Sequence, residues 1–103
     1  MSRAPCVYIV SNHKCGTLYV GVTSNIRFRV WQHRQRLVRG FTHKYRLTKL
    51  VYFEFHEDMP SAIEREKALK RWRRDWKIQL IESQNPGWKD LYLSKVLGYV
   101  DPG

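Results

Sequence analysis

Acidic residues are scarce in this chain. Its 103 residues hold 9 Asp and Glu against 19 Lys and Arg, a formal net charge of +10. On so small a domain that imbalance favours a polyanionic partner. It favours nucleic acid, because basic side chains gain by releasing counterions condensed on phosphates. A membrane surface is disfavoured: there is no long apolar run and no lipidation motif. Cysteine is scarce too, with only Cys6 and Cys15. Two cysteines make neither a disulfide framework nor a Cys-rich zinc site, and no second ligand pair follows His13 at zinc spacing, so both are expected as free thiols. No internal repeat or low-complexity stretch divides the chain. The length suits one domain over 1–103, with a loose tail over 93–103, and a monomer is favoured. The opening MSRAPCVYIV passes directly into a strand pattern. That is too short for a signal peptide ahead of a folded domain, and the expected location is cytoplasmic.

Periodicity supplies the elements. Residues 6–11 and 18–23 alternate as strands around NHKCGT, where Asn12 and Gly16 supply turn chemistry. Val7 and Ile9 should share a face with Leu18, Val20 and Val22. Tyr8 and Tyr19 then share the other face, and Gly21 leaves room beside them. A helix is predicted over 25–38, capped by Ser24 or Asn25 and stopped by Gly40. Its buried stripe is Ile26, Val30 and Leu37, with His33 at the edge and Arg29 one turn before it on the same side. Residues 41–49 read as a polar, basic connection. LVYFEF (50–55) is a third strand, with Val51, Phe53 and Phe55 alternating against Tyr52 and Glu54. HEDMP reads as a turn, and SAIE (61–64) as a capping box in which Ser61 and Glu64 cap each other's backbone. In the following helix Ala62, Leu69, Trp72 and Trp76 cluster on one side. Glu66 falls near that side and Glu64 on the far one. A carboxylate facing inward is costly unless it is paired or holds a metal. A kink is expected near 72–75, and Asn85-Pro86 ends the helical signal.

The order β-β-α-β-α-α, with these polar residues, resembles the GIY-YIG nucleases. Cys6-Val7-Tyr8 stands for the first triplet and Tyr19-Val20-Gly21 for the second, with ten residues between the tyrosines. The run 25–30 followed by His33 resembles the family's first helix, with Arg29 at its arginine. Ala62-Ile63-Glu64-Arg65-Glu66 resembles its acidic helix, and residues 80–91 resemble the closing motif of a small stand-alone bacterial subgroup, YhbQ-like. The resemblance covers a core of about 5–92. Cys6 replaces the first glycine, and Val22 stands where several relatives carry a lysine.

The resemblance implies an α+β (mixed α/β) fold with a small three-stranded antiparallel sheet flanked by helices. It also implies metal-dependent hydrolysis of phosphodiester bonds in DNA, single-stranded or branched, with one Mg²⁺ or Mn²⁺ per site and no small-molecule cofactor. Tyr8 would activate water and Tyr19 position the phosphate, or the reverse. Arg29 would hold the scissile phosphate, His33 hydrogen-bond a tyrosine or assist proton transfer, Glu66 bind the metal, and Asn85 hydrogen-bond near the site. From the charge pattern, Arg27, Arg34, Lys44, Arg46, Lys70, Arg73 and Arg74 are candidates for phosphate contact. The alternative is a module of the same fold that binds DNA or RNA without cutting it.

Overall fold

The alternation over residues 6–11 and 18–23 folds as two strands with those bounds, β1 (Cys6–Ser11) and β2 (Leu18–Thr23). The computed structural model describes residues 4–35, 37 and 40–96, the side chains of Phe41 and Thr42 apart. In it, β3 spans Lys49–Phe55. The three strands pair antiparallel in the order β2-β1-β3. β1 therefore has a neighbour on each side and is buried along its whole length. A central strand covered on both faces calls for an apolar run, and CVYIV supplies it; the buried Ser11 at its end donates its hydroxyl to His13 O.

The two faces carry the two predicted side-chain sets. Cys6, Tyr8 and Val10 pack with Ile26, Val30, Leu47, Leu50, Leu91 and Tyr92, and Tyr19 and Phe53 join them. Val7, Ile9 and Val20 pack on the other face with Val51, Tyr52, Ala62, Leu69, Ile81 and Trp88. Helix α1 (Ile26–Arg34) covers the first face. Short α2 (Phe41–Lys44) follows, and α3 (Met59–Arg71) and α4 (Arg74–Gln84) cover the second. A π-helical turn, Tyr92–Val96, closes the described chain against α1.

Four local expectations are corrected. First, α1 stops at Arg34, and its last turn closes on a wide bond from Leu37 N to Gln32 O. Leu37 therefore leaves the stripe and is exposed, while Gly40, at φ 94°, leads into α2 instead of ending α1. Second, the third strand does not alternate strictly. A bulge lies opposite Ile9 and Val10, so Val51 and Tyr52, adjacent in sequence, both join the second core. Third, α3 begins inside HEDMP: His56 and Glu57 lead into it, Asp58 is its N-cap, and Met59 and Pro60 are its first residues. The Asp58 carboxylate accepts from Ser61 N at 2.8 Å, and Pro60 fills the first turn, where a missing N–H costs nothing. Ser61 is thus already inside the helix, and Glu64 is exposed. Fourth, Trp76 is exposed. The predicted break falls at Trp72–Arg73, and it turns Trp76 out of the cluster to meet Trp72 edge-on.

The cap assignment has a direct consequence for stability. Asp58→Ala should lower Tm by about 4 °C or more, whereas Ser61→Ala and Glu64→Ala should move it by less than half as much. Thermal melts followed by circular dichroism decide the matter. A larger loss for Glu64→Ala than for Asp58→Ala would restore the capping box.

Candidate active site

Tyr8 lies in the middle of the central strand and is 1% exposed. Its cross-strand partner is Gly21, and a Cβ there would run into the Tyr8 ring and hydroxyl. The glycine is what lets a full phenol lie on this face. Tyr8 Oη is 3.1 Å from His33 Nε2, with the rings edge-on. Tyr19, opposite Val10, lies on the same face with its ring centroid 6.3 Å from that of His33. One buried imidazole therefore stands beside both tyrosines. Arg29, one turn before His33, places its charge on both Tyr8 and His33. Its Nη1 also donates to Gln32 Oε1 at 3.3 Å.

Burial sets the protonation states. It pushes the Tyr8 phenol up to about 12, against the pull of the Arg29 guanidinium. It holds the His33 imidazole down to about 4, and the Arg29 charge adds to that. Both groups are neutral at pH 7. With both groups neutral, one proton lies in the Tyr8–His33 hydrogen bond. The other ring nitrogen, Nδ1, is buried with no hydrogen-bond partner among the described residues.

Glu66 reaches this neighbourhood from the other face. Helix α3 packs through Ala62 and Leu69 against the second core and lies over β2 and β1. Lys70 Nζ is 3.1 Å from Glu66 Oε2 and 5.2 Å from the Tyr19 ring centroid. Lys70 thus links the carboxylate on one face to the tyrosine on the other, at the β2 edge of the sheet. The Glu66 side chain is 14% exposed and that of Lys70 44%. Sequence reading placed Lys70 only among general phosphate contacts. The available signal was its i, i+4 spacing from Glu66.

The other candidates fall elsewhere. Asn85 is buried at the end of α4. Its Nδ2 donates to Val51 O at 3.1 Å and Lys89 O at 2.8 Å, and its Oδ1 accepts from Lys89 N at 3.0 Å. Those bonds fasten the closing segment to β3 and place this side chain in the scaffold, not with the tyrosines. Arg34 pairs with Asp90 and lies over Tyr92, and Arg74 donates to the carbonyls of Cys15 and Gly16, both at 2.6 Å. Arg73 pairs with Asp75 and covers Trp76, and Lys44 lies over Tyr45. Arg27 and Arg46 are exposed. Cys6 is a free thiol that burial pushes up to about 12, so it is no nucleophile, and Cys15 is free and exposed.

Among the described residues no three His, Cys, Asp or Glu side chains converge to cage a metal. Glu66 offers a single carboxylate. That donor suits a hard cation which keeps its waters and takes phosphate oxygens, as Mg²⁺ does, and does not suit zinc. No described helix is long and apolar enough to cross a membrane.

Comparison with known proteins agrees with this architecture. A family model described as the GIY-YIG catalytic domain matches residues 4–79, a span that includes Tyr8, Tyr19, Arg29, His33, Glu66 and Lys70 and ends before Asn85. A UPF0213 protein of Clostridium perfringens is 38% identical over 81 residues, covering 77% of this chain and 84% of that protein. A UPF0213 protein of Staphylococcus aureus strain Mu3 is 35% identical over 80 residues, covering 76% and 94%. No solved structure matches the chain significantly. With two triplet tyrosines on one sheet face and its relatives among small bacterial UPF0213 proteins, the chain belongs to the GIY-YIG nuclease family.

Proposed function

We propose that this protein is a divalent-metal-dependent endonuclease that hydrolyses phosphodiester bonds in DNA, acting in the cytoplasm. The observation that carries the proposal is the buried Tyr8–His33 hydrogen bond with Arg29 lying against it. A phenol, a proton acceptor and a phosphate-binding cation on one spot are what general-base hydrolysis of a phosphodiester needs.

Glu66 would hold the metal, Mg²⁺ or Mn²⁺, which when bound polarises the phosphate and stabilises the leaving oxygen. The residues do the rest. Arg29, whose charge stands beside Tyr8, holds the scissile phosphate and stabilises charge on its non-bridging oxygens. The Tyr8 oxygen takes a proton from the attacking water, while the Tyr8 proton passes to His33 Nε2. Hydroxide oxygen bonds to phosphorus, the bond to the leaving oxygen breaks, and that oxygen takes a proton from solvent; His33 then returns its proton to Tyr8, which gives one up to solvent, so both groups end neutral. The relay lets Tyr8 act as a base without becoming a free phenolate, which burial disfavours. Tyr19, more exposed than Tyr8, positions the phosphate at the β2 edge.

The test is incubation with single-stranded, duplex and flapped DNA, and with RNA, in Mg²⁺, Mn²⁺ or EDTA. Cleavage should require the metal. Glu66→Ala should abolish it with the fold retained by circular dichroism, and Arg29→Ala should lower it about 10²–10³-fold. Binding without cleavage under every metal condition would replace this reading with a non-catalytic module of the same fold.

Gly21→Ala should displace Tyr8, cost about 1–3 kcal/mol in urea unfolding, and reduce cleavage with it. His33 gives a pH signature. Unfolded, the imidazole takes a proton near 6.5; folded, only near 4. Between those values the unfolded state holds more protons, so stability rises with pH across that window and is fully present above it. After allowance for solvent screening the gain is roughly 2 kcal/mol. Urea unfolding at a series of pH values should show this slope, and His33→Gln should flatten it. A slope unchanged in His33→Gln would contradict the buried neutral imidazole.

A further inference from the structure

We propose that Phe28 and Trp31 form a stacking platform for unpaired bases, so that the strand presented to Arg29 is single-stranded nucleic acid. The inference rests on the nuclease reading and narrows its substrate class. Both side chains are exposed, 53% and 42%, although a large aromatic ring in water gains nothing from that position. Their rings lie nearly parallel, 17° apart, with centroids at 5.7 Å. At i and i+3 they occupy the outward side of α1, opposite Ile26, Val30 and His33. Beside them is a groove of about 410 Å³ lined by Asn25, Arg27, Phe28, Trp31 and Tyr92. The other exposed aromatics differ in setting. Trp76 meets Trp72 edge-on under the Arg73 guanidinium, and Phe55 meets Phe53 edge-on.

Charge identifies the occupant. Helix α1 is IRFRVWQHR, with three arginines and no acid. A pair of flat apolar rings set among cations matches a ligand that alternates anionic groups with flat rings, which is a nucleic acid strand with its bases unstacked. Arg29 joins the two functions: it follows Phe28 in sequence, and its charge acts on Tyr8. The outer face of a helix is within about 10 Å of its flank. A few nucleotides of extended strand cover that distance. In a duplex the bases are already stacked and paired, and the platform has nothing to hold.

The experiment separates bases from phosphates. Fluorescence anisotropy with the full chain compares an oligothymidylate with an abasic oligomer of the same length and charge. The protein should bind the thymidylate about 5- to 100-fold more tightly. Phe28→Ala/Trp31→Ala should bring the two within about twofold while leaving abasic binding and its salt dependence unchanged, since the phosphate contacts remain. Equal affinity of the wild type for both oligomers overturns the proposal, as does a variant that weakens both equally. So does a wild type that binds anionic phospholipid vesicles through these residues and shows no base dependence. Cleavage of DNA without base-dependent binding would overturn the platform and leave the nuclease reading standing. Base-dependent binding without cleavage under any metal condition would do the reverse.

Discussion

The contact between Tyr8 and the missing side chain of Gly21 constrains everything around it. A phenol on a fully covered central strand needs space beside it; of its two cross-strand partners, Phe53 on β3 is itself a large ring and Gly21 on β2 yields the space. Once the ring lies there, its hydroxyl meets His33 from α1, with the charge of Arg29, one turn earlier, beside them. The hydrogen bond is buried, so losing either partner leaves an unpaired polar group in a dry place. The same dryness keeps both groups neutral. At neutral pH the pair is therefore uncharged, with one proton in the hydrogen bond between them.

The second constraint is the edge of the sheet. Tyr19 and Glu66 belong to opposite faces, and β2 is an edge strand, so the faces can communicate around it. Lys70 makes that connection. It balances the Glu66 carboxylate and leans over the Tyr19 ring, in a chain that has Val22 after the second triplet. An i, i+4 pair on a partly exposed helix is worth only about 0.3–0.5 kcal/mol. It is strong enough to keep Glu66 from standing uncompensated. It is also weak enough to give way to a divalent cation, which would bring two charges where the ammonium brings one.

Strand limits, faces and the Tyr8–Tyr19 pairing were legible because alternation with period two is fixed by backbone geometry and CVYIVS and LYVGVT follow it closely. The inward-facing carboxylate of Glu66 was legible for the same kind of reason, from helical period. What escaped depends on contacts between distant residues. The bulge at Val51 answers to the register against β1, and the exposure of Leu37 and Trp76 answers to where helices stop. Asp58 was passed over because the SAIE pattern is a local match that takes no account of the proline before it. Asn85 carried a family expectation, yet its backbone partners on β3 and at Lys89 lie beyond the reach of a linear motif.

Helix α1 divides its surface in a way that a nine-residue element can sustain only if every side is used. Ile26 and Val30 anchor it, His33 reaches Tyr8, Arg29 stands at the boundary, and Phe28 and Trp31 face out. Amphipathic helices of globular proteins set apolar stripes inward and charge outward. Here aromatic rings also occupy the outward side, which neither packing nor solubility calls for. The acid-free sequence around them removes repulsion toward phosphate along the whole helix. The 100° between successive residues fixes Arg29 in phase between the imidazole and the rings, so a strand laid along the outward side would pass next to the cation that stands beside Tyr8.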